Sequence, residues 1–206
     1  MKQICQVVLT ILVVSLLTNS VLYGQEKKGG VLDRLSEAEL KSRISKRAAE
    51  RITDLGQYIS VIGDKTKPND LKSRMVNAAV QLFKDESAVV EVSSLNRTVP
   101  RSYKIREYLN RLRILEYDKV NIEWYKVIYV SDLKRDPDGN YRGVIRVYQR
   151  FQGSNYDAEG SLKLLYEDNT TKDIEFIAEV GRVSYGDHEK EYFNIKLLDL
   201  RVDDTF

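Results

Sequence analysis

The chain has 206 residues, 42% of them hydrophobic and only 3 of them proline, and its 33 basic residues nearly match its 31 acidic ones for a net charge of +2. This composition excludes a disordered polyelectrolyte, and the charge balance leaves no global field to recruit nucleic acid. A single cysteine, Cys5, and a single histidine, His188, exclude a disulfide scaffold and make a transition-metal site of the usual ligand type unexpected.

Residues 1–24 read as a signal peptide. Lys2 supplies a short cationic start, Val7 to Leu22 form an apolar run, and Gly24 stands before the polar Gln25-Glu26. A membrane anchor is the competing reading. About 16 residues at roughly 1.5 Å rise cover about 24 Å, short of a hydrocarbon core of about 30 Å, so no stable membrane insertion is expected after cleavage. The expected cut is Gly24/Gln25, with Ser20/Val21 as the alternative. Cys5 lies at the wrong end of the run for lipid attachment. Export to the periplasm or beyond follows, and the mature chain loses its only thiol. Residues 25–35 are expected as a flexible N-terminal tail and 36–206 as a single domain.

Ser36 and Glu39 have the spacing of a capping box, and Leu40, Ile44, Ala48, Ile52, Leu55, Ile59 and Ile62 recur at helical spacing. They predict one long helix from Glu37 to Ile62, ended by Gly63. Asn69 is expected to cap a second helix with Leu71, Met75, Ala78, Ala79 and Leu82 on one face. Val89 to Val92 read as a short strand. Ser102 is expected to cap a third helix carrying Ile105, Leu109 and Leu112. Val120 to Val130 then reads as a strand covered on both sides. The Asp136-Pro137-Asp138-Gly139-Asn140 turn leads into a return strand from Tyr141 to Phe151. Leu162 to Tyr166 is expected as a short strand, with Asp168-Asn169 turning the chain into a strand from Lys172 to Tyr185. A turn at Gly186-Asp187 leads to a last strand from Glu191 to Val202. The expected fold is α+β: three N-terminal helices packed on a curved antiparallel sheet of four to six strands.

That order of elements resembles the nuclear transport factor 2-like, or cystatin-like, cone fold. The runs Val90-Glu91-Val92-Ser93-Ser94-Leu95-Asn96-Arg97 and Tyr103-Lys104-Ile105-Arg106-Glu107-Tyr108-Leu109-Asn110-Arg111-Leu112 resemble a group of exported proteins of Gram-negative bacteria with no assigned function. Pro137-Asp138-Gly139-Asn140-Tyr141 and Tyr166-Glu167-Asp168-Asn169-Thr170-Thr171-Lys172 do so as well. The likeness spans about Leu55 to Val202. It implies helices closing over a bent sheet, and a scaffold that hosts both enzymes and plain binding modules.

The residues carry little visible catalytic chemistry. His188 falls at an expected hairpin tip and has no second histidine or cysteine to join it, so no catalytic residue, no metal ligand and no cofactor is assigned. Asp136, Asp138 and Asn140 are accounted for by the turn better than by a hard cation. Arg142, Arg146 and Arg150 share one strand face with Val144 and Tyr148 between them. Pairing with Glu123, Glu175 and Glu179 accounts for them, and an acidic or aromatic ligand is the alternative. Tyr103, Tyr108 and Tyr117 gather about the third helix, where they would line an opening between helix and sheet. Trp124 reads as core, or as a stacking surface at a cone mouth. The ligand-binding candidates are therefore Tyr103, Tyr108, Trp124, Arg146 and Tyr148. The function expected is a non-enzymatic exported binding module for a small ligand or an envelope protein, with homodimerisation through the outer sheet face as a secondary expectation. A small-molecule lyase or isomerase using an Asp or Tyr inside the cone is the alternative, and a purely structural envelope component is the third reading.

Overall fold

In a computed structural model the chain is described over residues 35–95, 99–185 and 188–206. The expected signal peptide, nearly all of the tail and the Gly186-Asp187 turn lie outside the described residues, as does the side chain of His188. The first element is α1, Glu37–Ile62, with the range and face that the spacing predicts. The Ser36 Oγ accepts the Glu39 N–H and the Glu39 carboxylate accepts the Ser36 N–H at 3.0 Å, so two otherwise orphaned donors are satisfied at the helix start. All seven apolar positions from Leu40 to Ile62 are buried. Each of the six leucine and isoleucine side chains among them contributes roughly 2 kcal/mol of burial, and Ala48 less.

Helix α2, Asn69–Val80, is rotated from the expected face. It buries Lys72, Val76, Ala79 and Val80, and Asn69 is its first helical residue rather than a side-chain cap. The rotation is set at its end, where the Leu82 carbonyl accepts the Leu197 N–H and the Lys84 N–H donates back to the Leu197 carbonyl, both at 2.9 Å. Strands β1, Val89–Val92, and β2, Arg101–Lys104, pair antiparallel, so Ser102 stands in a strand opposite Glu91. Helix α3, Ile105–Leu112, starts without a side-chain cap because the Ile105 N–H donates to the Ala88 carbonyl at 2.9 Å.

The remaining strands are β3, Lys119–Val130; β4, Lys134–Arg135; β5, Tyr141–Tyr156; β6, Leu162–Tyr185; and β7, His188–Thr205. The seven strands form one open sheet in the order β2-β1-β7-β6-β5-β3, with β4 on the β5 edge. The short strands β2 and β4 bring the expected four to six strands to seven, and the sheet is mixed rather than antiparallel because β1 returns parallel to β7 at Val90 and Leu200. The class is α+β with three helices among the described residues. The residues from Leu35 to Phe206 cluster as one compact unit.

Two further expectations are corrected. Asp168-Asn169 is not a turn: both residues pair with β5 inside one 24-residue strand. Strand β3 is not covered on both sides: it is the sheet edge, and Tyr125, Val127, Ile128 and Tyr129 are exposed. Register shifts between Trp124 and Lys126 and between Val127 and Tyr129 break the period of two on which the faces were drawn. The turn at Asp136 forms as expected. The Asp136 carboxylate accepts the Asn140 N–H at 2.8 Å, and Gly139 takes a φ of 86°, a conformation that glycine adopts without steric cost.

The core lies between the helices and one face of the sheet, where Ile44, Leu55, Ile59 and Leu109 of the helices are buried with Ile145, Ile174, Phe176, Ile195 and Leu197 of the strands. No helix among the described residues is long and apolar enough to cross a membrane.

Candidate functional site

Along the helix-facing side of β5 and β6 the side chains change character partway. On β6 the inward row reads Phe176, Ile174, Lys172, Thr170 and Asp168, all buried, passing from apolar to polar at Lys172. On β5 the matching change runs from Ile145 and Val147 to the buried Gln149. Burying polar groups is costly unless they are bonded or face a space that holds a partner. Here they face a cavity of about 420 Å³ between α3 and the sheet. Register shifts flank the polar stretch, between Gly153 and Ser154 where β5 meets β6 and between Thr171 and Lys172 where β6 meets β7. Such bulges bend strands and re-aim side chains.

One wall is aromatic. Tyr117, Phe151 and Tyr166 lie with ring centroids 6.0 to 6.5 Å apart. Tyr117 packs so closely on Gly153 that a Cβ there would stand 2.6 Å from the ring, which makes the absence of a side chain a requirement of this wall. Helix α3 and β2 supply the other side, with Tyr108 buried, Tyr103 half-buried, and the exposed Arg111 guanidinium 4.5 Å from the Tyr103 ring centroid at the rim.

The floor is ionisable. The Tyr166 hydroxyl donates to the Asp168 carboxylate at 2.7 Å. Burial raises the Asp168 pKa above the usual carboxylate range, while the Tyr166 hydrogen bond and the Lys172 charge act against it. Burial also pushes Tyr166 up to about 12, with Asp168 adding to the shift. Tyr108 is raised too, by burial first and the Asp168 charge second. Lys172 is buried, and its ammonium donates to the Glu91 backbone carbonyl. Desolvation lowers it to about 8, against the opposing charges of Glu91 and Asp168. No carboxylate stands within ion-pairing distance of Lys172 or Arg111 among the described residues. Nor do three or more His, Cys, Asp or Glu side chains among them gather as metal ligands. The arrangement offers an aromatic slot with a hydrogen-bonded carboxylate at one end and a desolvated ammonium at the other. It is suited to holding an amphipathic small molecule and to moving a proton at Asp168.

The five candidate residues separate into three places. Tyr103 and Tyr108, with Tyr117, line the cavity. Trp124 packs over α1, where a Cβ at Gly56 would stand 3.1 Å from its ring, and its buried indole N–H has no acceptor among the described residues. Arg146 and Tyr148 lie on the opposite sheet face. Arg146 forms a two-point pair with Asp173 at 2.7 Å and also reaches Asp203 at 3.2 Å. Tyr148 stacks on Tyr125 at 5.7 Å and meets Phe206 edge-on at 5.8 Å.

The expected arginine pairing is correct only for Arg150 and Glu123, at 3.7 Å. Arg142 lies 3.8 Å from Asp136. Glu175 pairs instead with Arg201, and Glu179 with Lys84. Register explains the change for Arg146, because its direct neighbour on β6 is Asp173. Sequence reasoning missed Asp168 and Lys172. Their signal was present, since Tyr166, Asp168, Thr170 and Lys172 alternate at period two, but a turn assigned at Asp168-Asn169 hid it. Comparison with known family models, curated proteins and solved structures finds no match to this chain.

Proposed function

We propose that this chain is an exported binding module of the bacterial cell envelope, of nuclear transport factor 2-like cone architecture, whose partner is a small molecule held in the cavity between α3 and the inner face of β5 and β6. The observation that carries this reading is the open cavity of about 420 Å³ with an aromatic wall, placed where the inward rows of two strands turn polar. Pockets of this size that mix apolar walls with a few convergent polar groups are the ordinary form of small-ligand sites. The export component rests on the N-terminal sequence, and the cone component on the order of elements and on the bulges beside the cavity.

The test uses the neutral fluorophore N-phenyl-1-naphthylamine. Saturable binding at one site per chain is expected, with loss of binding in Ser94→Trp, which fills the half-buried rim of the cavity, and no change in melting temperature. Absence of saturable binding, or binding unaffected by Ser94→Trp, contradicts the reading.

A second reading is a lyase or isomerase with Asp168 as general base, favoured by the upward shift of that carboxyl group on burial. Asp168→Asn separates the two. A binding module releases its ligand unchanged in parent and variant alike, whereas an enzyme converts it in the parent and loses that turnover, with binding kept, in the variant.

A further inference from the structure

The proposed cavity reading leaves the ligand's chemistry open, and the charges in the cavity narrow it. Among the ionisable side chains that line the space, Lys172 and Arg111 are the two basic ones, Asp168 is the one carboxyl group, and the rest are tyrosines. The Asp168 carboxylate already accepts the Tyr166 hydroxyl. Lys172 is only 3% exposed, yet the hydrogen-bond partner of its ammonium is a backbone carbonyl, that of Glu91, and its remaining N–H bonds have no acceptor among the described residues. An ammonium carries three donors, and leaving them buried and unmet is costly. Asp168 and Lys172 are four residues apart on one strand, about 13 Å between α-carbons. The Asp168 carboxylate stands outside ion-pairing distance of the Lys172 ammonium, which leaves that ammonium open to an anion, although the two charges act on each other.

We infer that the cavity selects an aromatic carboxylic acid, with its carboxylate on the Lys172 ammonium and its rings against the Phe151 and Tyr117 wall. The inference rests on the cavity being the ligand site. Arg111, exposed at the rim over Tyr103, adds a second positive charge on the path of entry.

The test is calorimetric titration with two probes of nearly equal shape, 2-naphthoate and naphthalene-2-methanol, on the mature protein. At pH 7 naphthoate is expected to bind at least about tenfold more tightly than the alcohol, the scale of one buried charge-assisted hydrogen bond. Lys172→Met removes the preference and leaves affinity for the alcohol in place. Should that variant not fold, the parent protein and Arg111→Gln carry the test. In the parent the preference falls between pH 7 and pH 9.5 as the ammonium, with its pKa of about 8, loses its proton. In Arg111→Gln the preference falls severalfold at a position exposed enough to tolerate change. The other titratable groups about Lys172 are the Glu91 carboxylate of β1, Asp168 and Tyr166 of β6, and Tyr108 and Arg111 of α3. Burial raises Tyr166 and Tyr108 away from this window, so the loss of preference between pH 7 and pH 9.5 is assigned to Lys172, and Lys172→Met, which keeps Asp168, checks that assignment. Equal binding of the two probes, or a preference that survives Lys172→Met, overturns the inference while leaving the cavity as a ligand site. Binding of neither probe overturns both.

Discussion

Asp168 and Lys172 are the residues whose state sets what the cavity can do, and both are shifted by the same cause, loss of water. For Asp168, burial raises the pKa and the Tyr166 hydroxyl holds it down. Tyr166→Phe removes that donor, so the carboxyl pKa is expected to rise further. A carbon-13 titration of the Asp168 carboxyl group reads the change directly, and an unchanged midpoint would show that the hydroxyl is not bonded to it in solution. For Lys172 the folded pKa of about 8 lies below its ordinary value of 10.5. The folded protein therefore sheds this proton before the unfolded chain does. Stability from this group rises as pH climbs from about 8 toward 10.5, and the full cost is present below 8. Relative to Lys172→Met, the parent is expected to gain on the order of 2–3 kcal/mol between pH 7 and pH 10 in urea unfolding. The raised tyrosines are common to both proteins and cancel in the difference. A constant difference across that range would show that Lys172 is hydrated in the folded state.

At the scale of elements, α1 anchors the fold and is the part most legible in the sequence. Its capping box, its seven apolar positions and its terminating Gly63 are all local signals, and the structure places each as the spacing predicts. Ser36→Ala breaks the reciprocal cap and is expected to cost about 1 kcal/mol in unfolding free energy. A cost near zero would mean that the first turn is frayed in solution. Where local signals competed with tertiary pairing, the pairing won. Ser102 has the chemistry of a helix cap, but its backbone is claimed by β1. Asp168-Asn169 has the chemistry of a turn, but its backbone is laddered to β5 at Phe151 and Arg150. On β3 the alternation that marked both faces as covered is interrupted by two bulges, and the end of the strand carries Val127, Ile128 and Tyr129 into solvent. Bulges and edge positions depend on neighbouring strands, so a single strand's sequence does not encode them.

At the scale of the whole molecule, the two sheet faces do different work. The inner face holds the core at one end and the cavity at the other. The outer face is held by ion pairs and stacked rings such as Arg146 with Asp173 and Tyr148 with Tyr125. The candidate residues were divided between these faces because an alternating strand shows that two residues share a side but not which side the helices cover. Tyr103 and Tyr108 were placed near an opening by their proximity to α3, a local inference, and they line the cavity. The polar floor on β6 depends on that strand running unbroken through Asp168 and Asn169, which its pairing with β5 secures and its own sequence does not. The most direct test of the central claim is a crystal structure of the mature protein grown with 2-naphthoate. The account predicts the probe between α3 and the inner face of β5 and β6, its rings on Phe151 and its carboxylate at the Lys172 ammonium. A probe bound instead on the outer face beside Tyr125 and Tyr148, with the cavity left without it, would contradict the account.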